Sequence, residues 1–368
     1  MICGGGTGGH IYPALAAVAE LRARGTAAGD ILWIGTRGQM EEELVPRAGL
    51  QLETIRGGPI VGVAPHKMLV NGMKLALSLP RVERIMGRFR PDMLFMTGGY
   101  VNAPVGLVAR RRRIPAGIYL PDVEPGATIK GLSRLVDRVA TTTPASAAYF
   151  PAGKTVHTGY PVRPELRAAG ALGKAQALAM FALRADRPTL FVFGGSRGAR
   201  SINQALLAIL PRLLARTQVI HVSGRLDWPA IEAATADLPD TARAFYRPFP
   251  YLHERMGPAF RAADLVLARA GASMLGECPA FGLPSILVPY PYAWRYQKVN
   301  ADYLVDNGAG VRLDDERMAT ELLPTIEGLL FDEERRQTMA DAATALDLPD
   351  AAGRLADFIA TLAQGNSA

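Results

Sequence analysis

The sequence predicts an α/β fold of two doubly wound, Rossmann-like domains that face each other across a cleft. Short, continuously apolar runs alternate with helical stretches, which is typical of parallel sheets covered by helices on both faces. A glycine-rich turn that leads into a helix occurs twice, in CGGGTGGHIYPALAAVAEL from Cys3 and in LFVFGGSRGARSINQALLAIL from Leu190. A length of 368 residues exceeds one ordinary core and suits two.

Apolar runs bounded by turn residues are predicted as strands. They are ILWIG (31–35), DMLFMTGG (92–99), AGIYLP (116–121), TLFVFGG (189–195), QVIHVSG (218–224), DLVLAR (264–269) and PSILVPYP (284–291). Only three residues precede the first glycines, so the first strand is either short or begins upstream of this sequence.

The two glycine turns divide the chain into domains. We expect a first domain of residues 1–162 and a second of residues 163–349, with the linker near residues 160–188. A final helix begins near Asp350, and packing back on the first domain is one way to bury its apolar face. That face carries Leu355, Phe358, Ile359 and Leu362.

Composition places the chain among globular proteins of a reducing compartment. Hydrophobic residues make up 49% and charged residues 20% of the sequence, which argues against disorder. Two distant cysteines, Cys3 and Cys278, argue against a disulfide framework. No apolar run reaches the ~18 residues of a membrane span. We therefore expect a cytoplasmic protein.

Positive charge is concentrated in the first half. Residues 1–163 hold 20 Lys and Arg against 11 Asp and Glu, a net charge of +9, whereas residues 164–368 carry −2. In residues 66–90, apolar side chains at helical spacing alternate with cations, as in a protein that docks on an anionic lipid leaflet; burial in a core is the alternative. The apolar members are Leu69, Met73 and Leu77. No DNA- or RNA-binding motif occurs, so nucleic acid is not an expected partner.

The first glycine turn matches no common nucleotide motif fully. Gly4, Gly6 and Gly9 fit GxGxxG, but the following strand, ILWIGTRGQ, lacks the carboxylate that would hold a dinucleotide ribose. His10 stands where a Walker A motif has lysine. The turn still places backbone N–H groups at a helix N-terminus, which favours an anion. His10 could take a proton there or simply cap the turn.

The segment ARAGASMLGECPAFGLPSILVP (268–289) predicts a nucleotide-diphosphate site. A strand ends at Arg269, and a turn of small residues, Gly271 to Ser273, opens a helix whose N–H groups can bind a pyrophosphate. Glu277 follows one turn later. Its carboxylate can accept both hydroxyls of a ribose, or it is an ordinary surface residue of the helix.

Five segments occur in the order and at the spacing of one known family. They are GGGTGGHIYPALA, MTGGYVNAP, GYPVR, GGSRGARSINQ and RAGASMLGECPAFGLPSILVPYP…YQKVNA. Over nearly its whole length the chain resembles the MurG family of bacterial transferases. The resemblance implies a GT-B fold and inverting transfer of GlcNAc from UDP-GlcNAc to the C4 hydroxyl of MurNAc in undecaprenyl-pyrophosphoryl-MurNAc-pentapeptide (lipid I), which gives lipid II for peptidoglycan synthesis.

The resemblance also implies roles at matching positions. His10 is a candidate catalytic base, and Glu277 would bind the donor ribose. The cleft for acceptor and donor sugar would be lined by Thr7, Gly8, Gly9, Tyr100 and Asn102. The remaining donor contacts would come from Arg163, Ser196, Leu252 or His253, Arg269, Ser273, Met274 and Gln297.

Two positions depart from the family pattern. Before a Pro-Gly pair, residues Tyr119 to Asp122 replace the usual His-Glu-Gln-Asn, and Tyr296 replaces the first of two glutamines. Asp122 thus stands where an asparagine is expected to touch the donor sugar, and it or Glu124 could share the role of base with His10. The same pair could otherwise form a polar loop or hold a metal. We expect no obligatory metal and no cofactor.

These observations predict a peripheral enzyme at the inner face of the cell membrane. Its partners would be UDP-GlcNAc, a lipid-linked muramyl-pentapeptide acceptor and the anionic inner leaflet. The altered loop at 119–122 leaves two alternatives open. One is a related UDP-sugar transferase with another lipid or small-molecule acceptor. The other is a non-catalytic UDP-sugar-binding scaffold protein of the cell-wall machinery.

Overall fold

Strands and helices alternate along the chain and build two separate sheets. The structure is a computed structural model that describes residues 1–6, 8–59, 63–195, 198–292 and 295–365.

The described chain divides into two compact units. Unit 1 combines Met1–Pro161 with Asp350–Ala368, and unit 2 is Val162–Pro349. The paired strands are parallel in both sheets. The predicted fold class, two Rossmann-like α/β domains, is therefore confirmed.

Unit 1 is built on a sheet of seven strands. They are β1 (Ile2–Cys3), β2 (Leu32–Thr36), β3 (Gln51–Ile55), β4 (Leu94–Met96), β5 (Ala116–Leu120), β6 (Arg138–Thr141) and β7 (Thr155–His157). Their spatial order, β3-β2-β1-β4-β5-β6-β7, begins as in a Rossmann fold. Although β1 has only two residues, it lies in the middle of the sheet and pairs with both β2 and β4.

Apolar clusters cover both faces of this sheet, because successive strand side chains point to opposite sides. Ile2 and Trp33 belong to one cluster, whereas Cys3 and Ile34 belong to the other. The helices from the first part of the chain are α1 (Gly8–Ala23), α2 (Glu41–Arg47), α3 (Pro65–Phe89), α4 (Asn102–Arg111) and α5 (Ala127–Leu132).

Unit 2 has a sheet of six strands. They are β8 (Thr189–Phe193), β9 (Gln218–Val222), β10 (Tyr246–Phe249), β11 (Leu265–Ala268), β12 (Ser285–Leu287) and β13 (Gly310–Arg312). Once the helices α6 (Pro164–Ala169) and α7 (Lys174–Ala179) have passed, the order β10-β9-β8-β11-β12-β13 repeats the 3-2-1-4-5-6 arrangement. The remaining helices of unit 2 are α8 (Arg200–Leu214), α9 (Trp228–Ala236), α10 (Asp240–Arg243), α11 (Met256–Ala262), α12 (Met274–Phe281), α13 (Tyr296–Asp306), α14 (Met318–Leu330) and α15 (Glu333–Ala345).

The stretch that was expected to carry the linker is largely folded. Helices α6 and α7 both pack on α11. Arg167 of α6 also forms an ion pair with Asp347 at 2.9 Å. Most of residues 160–188 are therefore part of unit 2.

The last helix, α16 (Ala351–Gln364), returns to unit 1. It packs on α1 and β5, and Leu355, Phe358 and Ile359 join the apolar cluster of Ile2 and Trp33. Packing on unit 1 thus buries the apolar face that the sequence predicts for this helix.

Candidate active site

In unit 1, two loops lie at the carboxyl ends of adjacent strands. β1 leads into the first glycine turn, and β4 leads into Gly98 and Gly99; a Rossmann sheet binds ligands beside this pair of strands. Gly98 has φ of 111°, and a Cβ there would lie 2.9 Å from the His10 ring. A Cβ on Gly99 would lie 3.0 Å from the Gly5 carbonyl oxygen. Without these side chains, the loop after β4 can approach His10 at Gly98 and the first glycine turn at Gly99.

His10 lies in the first turn of α1, partly buried. Its Nδ1 is 3.2 Å from the carbonyl oxygen of Gly5. Since a carbonyl only accepts, Nδ1 carries the proton and Nε2 carries the lone pair. Burial lowers the pKa of His10, while the charges of Asp122 and Glu41 and the bond to Gly5 oppose that shift. A neutral imidazole at pH 7 can accept a proton at Nε2.

Asp122 and His10 are brought together although 112 positions separate them in the sequence, roughly a third of its length. Asp122 is partly buried in the loop after β5, and its charge raises the pKa of His10. Tyr119, by contrast, is fully buried in β5. Its hydroxyl lies 2.7 Å from Thr142 Oγ1 and donates to the Gly159 carbonyl at 3.1 Å. Of the altered loop, Asp122 acts electrostatically on His10, whereas Tyr119 belongs to the core.

The other predicted residues of unit 1 differ in exposure. Gly8 and Gly9 open α1, partly exposed, and Tyr100 is partly exposed in the loop after β4. Asn102 begins α4 with none of its surface exposed, and its side chain has no hydrogen-bond partner among the described residues. Neither the side chain nor the backbone of Asn102 is therefore exposed. Thr7 lies outside the described residues.

Unit 2 repeats this arrangement at the carboxyl ends of β8 and β11. The second glycine loop follows β8, and the turn from Arg269 to Ser273 follows the adjacent strand β11. Helix α12 begins directly after that turn, so its N-terminus lies at the ligand-binding edge of the sheet. Ser196 lies outside the described residues.

Arg269 is engaged by contacts inside unit 2. Its guanidinium donates to Asp315 Oδ1 at 2.5 Å and to Ser201 Oγ at 2.6 Å. It also lies 3.3 Å from the carbonyl oxygens of Val288 and Pro289. Asp315 therefore offsets the charge that Arg269 was expected to offer a diphosphate. The sequence does not predict this pair, because Asp315 lies 46 positions from Arg269 and belongs to no recognisable motif.

Glu277 lies one turn into α12 and is 8% exposed. Burial raises the pKa of this carboxyl, whereas the charge of Arg163 and a hydrogen bond with Ser273 lower it. The structure thus brings three predicted donor residues together. It also excludes the reading of Glu277 as an ordinary surface residue.

Three further predicted residues line the same edge of unit 2 with little exposed side chain. Leu252 and Met274 are both buried, with 4% and 1% of their surface exposed. Gln297, in the first turn of α13, accepts from the Tyr290 N–H at 2.8 Å through Oε1. Its side chain is therefore oriented by the loop between β12 and α13.

The described residues contain neither a membrane-spanning helix nor a three-residue metal cluster. No helix there is long and apolar enough to cross a membrane. No group of three His, Cys, Asp or Glu side chains there could hold a metal ion.

Comparison with known proteins decides the family. The sequence model of the glycosyltransferase family 28 N-terminal domain matches residues 1–141, and that of the family 28 C-terminal domain matches residues 189–355. This chain belongs to glycosyltransferase family 28. It is 40% identical to a family 28 relative from Roseiflexus sp. (strain RS-1), over 98% of this chain and 94% of the relative. That relative is named UDP-N-acetylglucosamine--N-acetylmuramyl-(pentapeptide) pyrophosphoryl-undecaprenol N-acetylglucosamine transferase.

Two solved structures are similar to this chain in fold. Acinetobacter baumannii MurG is 28% identical, with a TM-score of 0.77 over 98% of this chain and 99% of that one. A UDP-GlcNAc 2-epimerase from Neisseria meningitidis bound to UDP-GlcNAc has a TM-score of 0.71 at 12% identity, over 98% of each chain. The epimerase shares the fold alone. The resemblance to the MurG family is confirmed.

Proposed function

We propose that this family 28 protein transfers GlcNAc from UDP-GlcNAc to the C4 hydroxyl of MurNAc in lipid I, with inversion, and so makes lipid II. The observation that carries the proposal is His10 at the first glycine turn: its Nδ1 donates to the Gly5 carbonyl at 3.2 Å, and burial lowers its pKa while the charge of Asp122 raises it. The name of the Roseiflexus relative supports the choice of donor and acceptor.

In this proposal unit 2 binds the donor. The Glu277 carboxylate accepts hydrogen bonds from the ribose hydroxyls, and its neighbours Arg163 and Ser273 contact the diphosphate. Arg269 already forms an ion pair with Asp315. The charge that develops on departing UDP is therefore stabilised mainly by the N-terminus of α12. Further donor contacts come from Ser196, Leu252, Met274 and Gln297.

Unit 1 binds the acceptor and supplies the base. The C4 hydroxyl oxygen attacks the anomeric carbon of GlcNAc, its proton passes to His10 Nε2, and the bond between that carbon and the UDP oxygen breaks. Asp122 stabilises the imidazolium that forms. The acceptor lies along Thr7, Gly8, Gly9, Tyr100 and Asn102.

In this proposal the exposed face of α3 binds the anionic inner leaflet. Leu69, Met73 and Leu77 are 66%, 56% and 78% exposed, so they are not buried in a core. A cavity of about 530 Å³ is lined by Leu77, Arg81, Arg84 and Arg88 among others. Glu53 also lines it and forms ion pairs with Arg81 and Arg88. Apolar side chains beside cations are what a peripheral protein needs to bind anionic lipid.

The test is UDP release from UDP-GlcNAc with and without a soluble lipid I analogue. We expect release that depends on acceptor and falls at least about a hundredfold in His10→Ala, the usual contribution of a general base. His66→Ala, an exposed histidine of α3, is the matched control. Asp122→Asn should shift the acid limb of kcat to lower pH, because the Asp122 charge raises the pKa of His10.

Two outcomes would contradict the proposal. If UDP-GlcNAc binds but no UDP is released, the chain is either a UDP-sugar-binding protein or a transferase with another acceptor. Full turnover in His10→Ala would remove His10 from the reaction.

A further inference from the structure

Glu41, the first residue of α2, is a carboxylate with none of its surface exposed. A buried carboxylate is costly unless its oxygens accept hydrogen bonds. Both oxygens do so here: Oε1 accepts from the Thr36 N–H at 2.8 Å and Oε2 from the Gly6 N–H at 3.0 Å. Glu41 thus joins the carboxyl end of β2 to the first glycine turn.

Two glycines make room for this carboxylate. A Cβ on Gly5 would overlap Glu41 Oε1, and a Cβ on Gly35 would lie 2.5 Å from Glu41 Cγ. The GGG of the turn therefore accommodates a side chain of the protein itself at Gly5, in addition to any ligand.

The Gly6 N–H and the Gly5 carbonyl belong to one planar peptide unit. Glu41 holds its N–H end, and His10 Nδ1 donates to its oxygen at 3.2 Å. The N–H and C=O of a trans peptide point in opposite directions, so the carboxylate and the imidazole lie on opposite sides of a rigid link. Negative charge at the N–H end also makes the carbonyl a stronger acceptor.

We propose that Glu41 is a positioning residue that orients His10, and fixes its tautomer, through the Gly5–Gly6 peptide. The inference rests on the proposed role of His10 as base. The carboxylate keeps the imidazole proton on Nδ1 and leaves the Nε2 lone pair for the acceptor hydroxyl.

The charges around His10 are consistent with this role. Asp122, from the loop after β5, and Glu41, from α2, both raise the pKa of His10 against the effect of burial. Cys3 in β1 also feels the charge of Glu41. Burial and Glu41 raise the pKa of its thiol well above the usual value, so the thiol stays neutral.

The test follows the His10 imidazole by NMR titration, assigned by its loss in His10→Asn, beside steady-state kinetics. The variants are Glu41→Gln and Glu41→Asp, with Glu42→Gln as control because Glu42 is exposed on the same helix. In Glu41→Gln the pKa of His10 should fall and kcat should drop about tenfold, with the KM for UDP-GlcNAc unchanged. Glu41→Asp keeps the charge but shortens the reach, so kcat should fall while the pKa stays near that of the parent.

An unchanged His10 titration and kcat in both variants would overturn the proposal. So would equal losses in Glu42→Gln. If the parent protein shows no turnover, the proposed function fails, yet the NMR titration still reports whether Glu41 acts on His10. If Glu41→Gln does not fold, Glu41→Asp alone must show reduced kcat with the His10 pKa retained.

Discussion

Glu277, a proposed binding residue, can lower the stability of the folded protein. Burial raises the pKa of its carboxyl in the folded protein. Its stabilising contribution is complete below the pKa of an unfolded glutamate, about 4.3, and is lost as pH rises through the raised folded value. Above the pKa of an unfolded glutamate, the buried carboxyl of Glu277 therefore costs the folded protein stability.

We accordingly expect Glu277→Gln to raise the melting temperature at pH 7 and to weaken UDP-GlcNAc binding at least about tenfold, because a hydrogen bond to a charged group is lost. Thermal unfolding at several pH values and calorimetric titration measure the two effects. The exposed Glu254→Gln serves as control. Unchanged affinity would remove Glu277 from the donor site.

At single residues, the sequence was informative where a motif carried the chemistry. His10 and Glu277 were found from their place after glycine or small-residue turns. Glu41 and Asp315 were not found, because each acts on a motif residue across the fold. The local sequence shows only that Glu41 is an acidic residue shortly after the strand that ends at Thr36. That pattern does not predict a contact with the first glycine turn.

Among the elements, α3 carries the clearest surface prediction. Replacing Leu69, Met73 and Leu77 together by Gln should lower binding to vesicles of anionic phospholipid about tenfold or more, because each exposed apolar side chain is worth ~1.5–3 kcal/mol when buried. Vesicle co-sedimentation measures this effect. Turnover on a soluble acceptor analogue should stay unchanged.

The control is Leu226→Gln, since Leu226 is 78% exposed in unit 2. Raised salt should weaken binding of the parent protein, because cations flank the patch. Undiminished sedimentation of the triple variant would show that α3 does not contact lipid.

The predicted strands all occur, and the strands that were missed share a physical reason. The seven apolar runs form β2, β4, β5, β8, β9, β11 and β12. The missed strands are β3, β6, β7, β10 and β13. Four of them, β3, β7, β10 and β13, are edge strands, and β6 lies next to the edge strand β7. Each includes at least one residue that is not buried, and none of their sequences has a continuous apolar run. Tertiary pairing, rather than local pattern, makes them strands.

For the whole molecule, α16 decides which unit the end of the chain stabilises. Phe358 packs edge-on against Phe95 of β4, with ring centroids 6.3 Å apart. Phe358→Ala should destabilise unit 1 by ~3–5 kcal/mol, through lost burial and a cavity. Urea unfolding measures this loss, and the exposed Thr361→Ala is the control. Equal unfolding midpoints for the two variants would mean that α16 does not support unit 1.

The sequence by itself determined the class of fold, the two glycine-turn units and the residues that carry the proposed chemistry, because apolar period and turn composition are local properties. The tertiary structure decided what those residues contact. It paired Arg269 with Asp315, placed Glu41 behind the first glycine turn and returned α16 to unit 1. These contacts join positions tens to hundreds of residues apart, and they depend on how close the folded backbone comes, which local sequence patterns do not encode.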